Sequence, residues 1–114
     1  MSRPTVEIRS LTPACNEVLI LTALERGAGH GYQLALDLEE RSGGAFAFKH
    51  GTLYPILHKL EKEGLIEGSW SDEGSRGRRR RYTVTAKGRR HARAGREAWR
   101  GFVRHLLDVI GEEE

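Results

Sequence analysis

The apolar positions of the chain fall into blocks of different period, and each block predicts one element. Ala14, Cys15, Val18, Leu19, Leu21, Ala23 and Leu24 follow Thr12-Pro13. Threonine is a good helix cap, and proline is accepted at the first helical position, where the N–H has no partner to lose. Because these apolar residues wrap more than one face, the helix is expected to be more buried than a surface helix. Gly27-Ala28-Gly29 ends it. A second helix is predicted from about Tyr32 to Arg41, with Leu34, Ala35 and Leu38 on its core face and Ser42-Gly43-Gly44 as its stop. Phe46 and Phe48 alternate with small residues and suggest a short extended piece.

A third helix is predicted from about Thr52 to Glu63. Leu53, Ile56, Leu57 and Leu60 repeat at helical spacing, and Thr52, Tyr54, Pro55, His58, Lys59 and Lys62 lie on the other side. Pro55 is expected in the first turn, where backbone N–H groups are unpaired anyway. Gly64 is a suitable stop. Two strand-like runs follow, about Leu65 to Trp70 and Arg80 to Val84, joined by the turn-rich Ser71-Asp72-Glu73-Gly74-Ser75-Arg76-Gly77. A last helix is predicted from near Thr85 to about Ile110. Ala92, Trp99, Phe102, Val103, Leu106, Leu107 and Ile110 form its apolar stripe, and Gly88, Gly95 and Gly101 would allow close helix crossing. The order is helix, helix, helix, hairpin, long helix: a mainly α chain with a small β-hairpin. The final stripe is too large for so small a core to cover, which marks an interface. A symmetric dimer is the simplest way to bury it.

The chain's 114 residues suffice for one domain. The net charge of +3 is uninformative, but its distribution is not: Arg76 to Arg96 holds ten Lys or Arg and no acidic residue. Such a block suits a polyanion, nucleic acid first and an anionic membrane second. Cys15 is the single cysteine, so no disulfide forms within the chain, and it reads as a small core residue. Met1 to Ser10 carries no apolar run and reads as a lead-in. No stretch reaches the length of a membrane span, which leaves a cytoplasmic location as the expectation. Of the five histidines no pair stands four apart, so no metal site is expected. No catalytic constellation stands out, which argues against an enzyme, and no cofactor is called for.

The third helix has the chemistry of a DNA reader. Lys49 and His50 flank its start, and its polar face offers Thr52, Tyr54, Pro55, His58 and Lys59 to phosphates and base edges. Arg76, Arg78, Arg79, Arg80 and Arg81 flank the hairpin loop and suit phosphate or minor-groove contact. Strand alternation sets Arg79 and Arg81 on one side and Arg78 and Arg80 on the other, so not all can face one partner.

These residues also resemble a family. Leu11-Thr12 with Glu17 and Ile20-Leu21, His30-Gly31-Tyr32-Gln33-Leu34, Glu40-Arg41-Ser42-Gly43-Gly44, the run from Gly51 to Ile66, Trp70, and the run from Gly77 to Gly88 are similar to the PadR family of winged-helix transcriptional regulators. The Gly51 to Ile66 stretch is the most specific. One departure is Arg81-Tyr82-Thr83, where members often carry two aromatics in a row. The resemblance implies a winged helix-turn-helix over residues 11–85 and a C-terminal dimerisation helix over 86–114, after a lead-in over 1–10. It implies a homodimer on a pseudo-palindromic DNA operator, usually as a repressor. It also implies that a planar aromatic effector can stack on Trp99, which otherwise reads as dimer packing. The competing reading is a winged-helix protein-interaction module without DNA binding.

Overall fold

The computed structural model describes residues 13–27, 29–71 and 79–111. Its elements are α1 (Pro13–Glu25), α2 (Gly31–Arg41), α3 (His50–Lys62), β1 (Ile66–Ser71), β2 (Arg79–Val84) and α4 (Ala86–Ile110). The order and types match the sequence expectation. Thr12, the expected cap of the first helix, lies outside the described residues, as do Arg76 and Arg78.

Two local readings change. The third helix starts earlier than expected: Lys49 caps it, and its carbonyl accepts from the N–H groups of Thr52 (3.0 Å) and Leu53 (2.9 Å). Pro55 therefore sits in the second helical turn, not the first. It removes the bond to the carbonyl of Gly51, four residues back. Gly51 is exposed with open space around its Cα, so water can reach that carbonyl. Phe46 and Phe48 form no strand. The segment is irregular and buries Phe48 in the core, while the Phe46 N–H donates to the Ser42 hydroxyl at 2.9 Å.

The core lies between α1, α2, α3 and the hairpin. Ile20, Leu21, Leu34, Leu53, Leu57, Leu60 and Ile66 are fully buried there. These are the positions the helical spacing picks out, because burying one face removes about 25 cal/mol per Å² of apolar surface from water. The two strands pair antiparallel, with Trp70 opposite Arg80 and Gly68 opposite Tyr82. The turn between α1 and α2 adds a partial third strand: His30 bridges Arg81, and the Tyr82 N–H donates to the Gly29 carbonyl at 2.8 Å. The hairpin is thereby tied to the helices at its base.

Helix α4 is capped by Thr85, whose hydroxyl accepts from the Gly88 N–H at 3.0 Å and donates to the Gly64 carbonyl at 2.7 Å. Two of its glycines permit close approach, as the sequence suggested. A Cβ on Gly88 would overlap the Leu65 carbonyl, and one on Gly95 would meet Val18. Gly101 meets nothing. At 25 residues the helix is about 37 Å long. Its apolar face is continuous, but its surroundings change midway. Gly88 and Ala92 are buried within the chain's own core, whereas Phe102, Val103, Leu106, Val109 and Ile110 are exposed. Ala92 is thus no part of a free stripe; it is fully buried against the rest of the chain, where α4 packs on α1. Val109, 86% exposed, extends that stripe instead.

Candidate nucleic-acid interface

Helix α3 and the hairpin form the two walls of a cleft of about 670 Å³, lined by Tyr32, Tyr54, His58, Glu61, Trp70, Arg79 and Arg80 among others. The outermost side chains of α3 are Thr52, Pro55, His58 and Lys62, all exposed. Lys49 is exposed at the entry to the helix. His50 begins it, with a side chain outside the described set.

The arginines of β2 divide by strand alternation. Arg79 and Arg81 are exposed, while Arg80 and Tyr82 turn inward. Both outward arginines lie against neighbouring groups, Arg79 against the start of α2 and Arg81 against the α1–α2 turn. The Arg79 guanidinium carbon lies 5.2 Å from the centre of the Tyr32 ring, within cation–π range. The Arg81 side chain lies across Gly29, where even a Cβ would crowd its Cγ at 3.1 Å. His30 secures the same edge. Its Nδ1 is 3.3 Å from the Arg80 carbonyl, to which it donates in the Nδ1–H tautomer. Its own N–H donates to the Gln33 side chain at 3.2 Å.

Three of the residues read as DNA contacts also have partners within the protein. Arg80 folds back over Gly68 and donates to Glu61 of α3 at 2.5 Å. Its guanidinium carbon lies 5.3 Å from the Trp70 ring centre and 6.0 Å from that of Tyr82. It braces the hairpin against α3, and its charge is matched there. Lys59 donates to Glu17 at 2.6 Å and lies 3.6 Å from Glu63. The Glu17 hydrogen bond raises its pKa first, and the charges of Glu17 and Glu63 add to this against partial desolvation. Tyr54 is half-buried, with its hydroxyl so close to Gly31 that a Cβ there would stand 2.6 Å away. It sets the approach of α3 to the start of α2.

The sequence-based contacts leave out Tyr32 and Trp70, which line the cleft, while Lys62 is exposed on the polar side of α3 as its spacing predicts. Tyr32, 51% exposed beside the cleft, carries Arg79. Lys62 continues the outer face of α3, and Trp70 lies opposite Arg80 in the ladder. The signals available for the two aromatics were an exposed ring at a helix entry and the cross-strand pairing that hairpin register imposes.

Burial raises the Cys15 thiol pKa, which keeps it in its unreactive protonated form. Among the described residues no cluster of His, Cys, Asp or Glu could hold a metal. No described helix is long and apolar enough to cross a membrane.

Three helices, a hairpin tied to their base and an exposed helix beside that hairpin define a winged helix-turn-helix protein. The model of the transcriptional regulator PadR-like family matches residues 20–94, and the chain belongs to that family. A protein of Lysinibacillus sphaericus is 26% identical over 97 residues, covering 85% of this chain and 87% of its own length. The negative transcriptional regulator PadR of Bacillus subtilis is 33% identical over 70 residues, 61% of this chain but 38% of that protein. A PadR family transcription regulator from Clostridium difficile superimposes with a TM-score of 0.69 at 29% identity, over 82% of this chain and 95% of its own. A transcriptional regulator from Clostridium thermocellum reaches 0.75 at 23% identity, over 87% and 95%, and bears on the fold. The chain is thus a transcriptional regulator of a family that acts through DNA.

Proposed function

We propose that the chain is a cytoplasmic homodimeric repressor that binds a pseudo-palindromic DNA operator, with residues 11–85 as the reading unit and 86–114 as the dimerisation helix. The observation that carries this reading is the shared cleft. His58 of α3 and Arg79 of the hairpin line one opening, and Thr52 and Lys62 on the same helix and Arg81 on the same strand are exposed. Thr52 and His58 would meet base edges in the major groove, and Lys49 and Lys62 would meet phosphates. Arg79 and Arg81 would follow the backbone into the next groove. The exposed run of Phe102, Val103, Leu106, Val109 and Ile110 favours a second copy as its cover, because so large a contiguous apolar surface is unusual on a monomer. Two copies related by a twofold axis would present two equal half-sites.

The test is selection of DNA segments from a genomic library by the purified chain. Enriched segments should share a symmetric motif whose affinity falls steeply with salt. Failure to enrich any segment would favour the protein-interaction reading.

Release by a planar aromatic effector belongs to the same proposal. Trp99 is half-buried and meets Phe102 edge-on at 5.4 Å. It borders a groove of about 340 Å³ formed by α1, α4 and the end of α2 with the segment that follows it. Planar aromatics should quench tryptophan emission, and the quenching should vanish in Trp99→Ala. Quenching that survives, from Trp70 alone, would remove Trp99 from this role.

A further inference from the structure

Glu17 is an acidic residue on the buried side of α1, and it is 7% exposed. A carboxylate so placed needs partners for both oxygens, since an unpaired buried charge is costly. The structure supplies them from two other helices. Oε2 accepts from Lys59 of α3 at 2.6 Å. Oε1 faces Nε2 of His91 on α4 at 3.9 Å, beyond a hydrogen bond but within ion-pair reach. Glu63 also draws on Lys59, at 3.6 Å.

The packing around this carboxylate gives it leverage. Helix α1 packs chiefly on α4 and α2, whereas α3 packs chiefly on β1 and α2. Among the described residues, Glu17–Lys59 is the only ion pair joining α1 to α3. We propose that Glu17 is a positioning residue that couples the long helix to the reading helix: one carboxylate is shared between Lys59 of α3 and His91 of α4, so a change of charge or position at His91 changes how α3 is held. A stronger cation at position 91 draws the carboxylate toward α4 and slackens its bond to Lys59. A shift of α4 along α1 does the same. The proposal rests on α3 being the DNA reader, and it gives signals received on α4 a physical route to that helix.

The test is a double-mutant cycle. His91→Arg places a permanent cation beside Oε1. It should weaken binding to the selected DNA duplex by about threefold to tenfold, the range expected for coupling through one shared contact. In a Glu17→Gln background the same change should have no effect. Equal effects in both backgrounds, or no effect in either, would overturn the coupling. If Glu17→Gln does not fold, Lys59→Met takes its place, and His91→Arg must again be silent. A chain that binds no DNA at all would refute the functional reading and still leave this one testable. The amide resonances of Leu57 to Lys62 should then shift in His91→Arg and stay fixed when Glu17→Gln is also present; unshifted resonances would end the proposal.

Discussion

The sharpest prediction contrasts neighbouring arginines of one strand. Arg79 and Arg81 are exposed and meet no carboxylate among the described residues, whereas Arg80 is matched by Glu61 at 2.5 Å. Removing Arg79 and Arg81 together deletes two cations per protomer, hence four per dimer. Each lost phosphate contact makes the dependence of log K on log salt shallower by about 0.9, so the double alanine variant should lose about 3.6 from the slope. Between about 50 and about 200 mM salt, wild-type affinity should therefore fall about a hundredfold more than that of the variant. Arg80→Ala should behave differently. It leaves a partly buried Glu61 without its partner and loosens the hairpin, at a cost of about 1 kcal/mol in stability, with the salt slope unchanged. The assay is fluorescence anisotropy of a labelled operator across a salt series, with urea denaturation of each variant alongside. If Arg80→Ala flattened the slope as much per charge as Arg79→Ala plus Arg81→Ala, the division of the strand into outward and bracing arginines would be wrong.

Further expectations concern α4 and its contacts. Gly88→Ala should destabilise the fold by about 2 kcal/mol or more, because the Leu65 carbonyl that its Cβ would overlap is backbone and cannot turn aside. Gly101→Ala meets nothing and should raise the melting temperature through helix propensity, by about 1 kcal/mol of stability; thermal denaturation of the pair decides both. Leu106→Glu should convert the proposed dimer to monomer in sedimentation, and a variant that stayed dimeric would place the interface elsewhere. The Lys59 pKa is raised in the fold, so its pairing with Glu17 stabilises fully below the unfolded lysine value and fades as pH climbs through the folded one. Alkaline unfolding of wild type and Glu17→Gln should accordingly converge at high pH, and a gap that persists unchanged would deny the pairing.

Much of this architecture is legible in the sequence because period reports burial. Leu53, Leu57 and Leu60 repeat at helical spacing and are buried, and Tyr82 follows Arg80 at strand spacing and is buried. Even the inward direction of Arg80 is implicit in that alternation. What periodicity does not report is where a long side chain ends. Lys59 lies on the flank of α3, between its apolar and outer faces, and a four-carbon stem can turn either way. The carboxylate that decides the matter is Glu17, forty-two residues away in sequence. Tyr54 presents the same difficulty, since Gly31 leaves the space its ring occupies. Ala92 departs from the expected exposed stripe for another reason. One apolar face runs the whole length of α4, and only the fold reveals where the chain stops covering it.

That overhang makes α4 a ruler as well as an adhesive. In the proposed dimer the helix beyond Trp99 sets how far apart the two hairpins stand. Inserting seven residues between Trp99 and Phe102 would turn the helix by only about 20° from its original phase, so the apolar face would still meet its partner. It would also lengthen the helix by about 10 Å, the rise of roughly three base pairs. A whole-heptad insertion would therefore re-space the operator without altering any residue that reads it, whereas a single-residue insertion would turn the face about 100° away and cost the assembly itself.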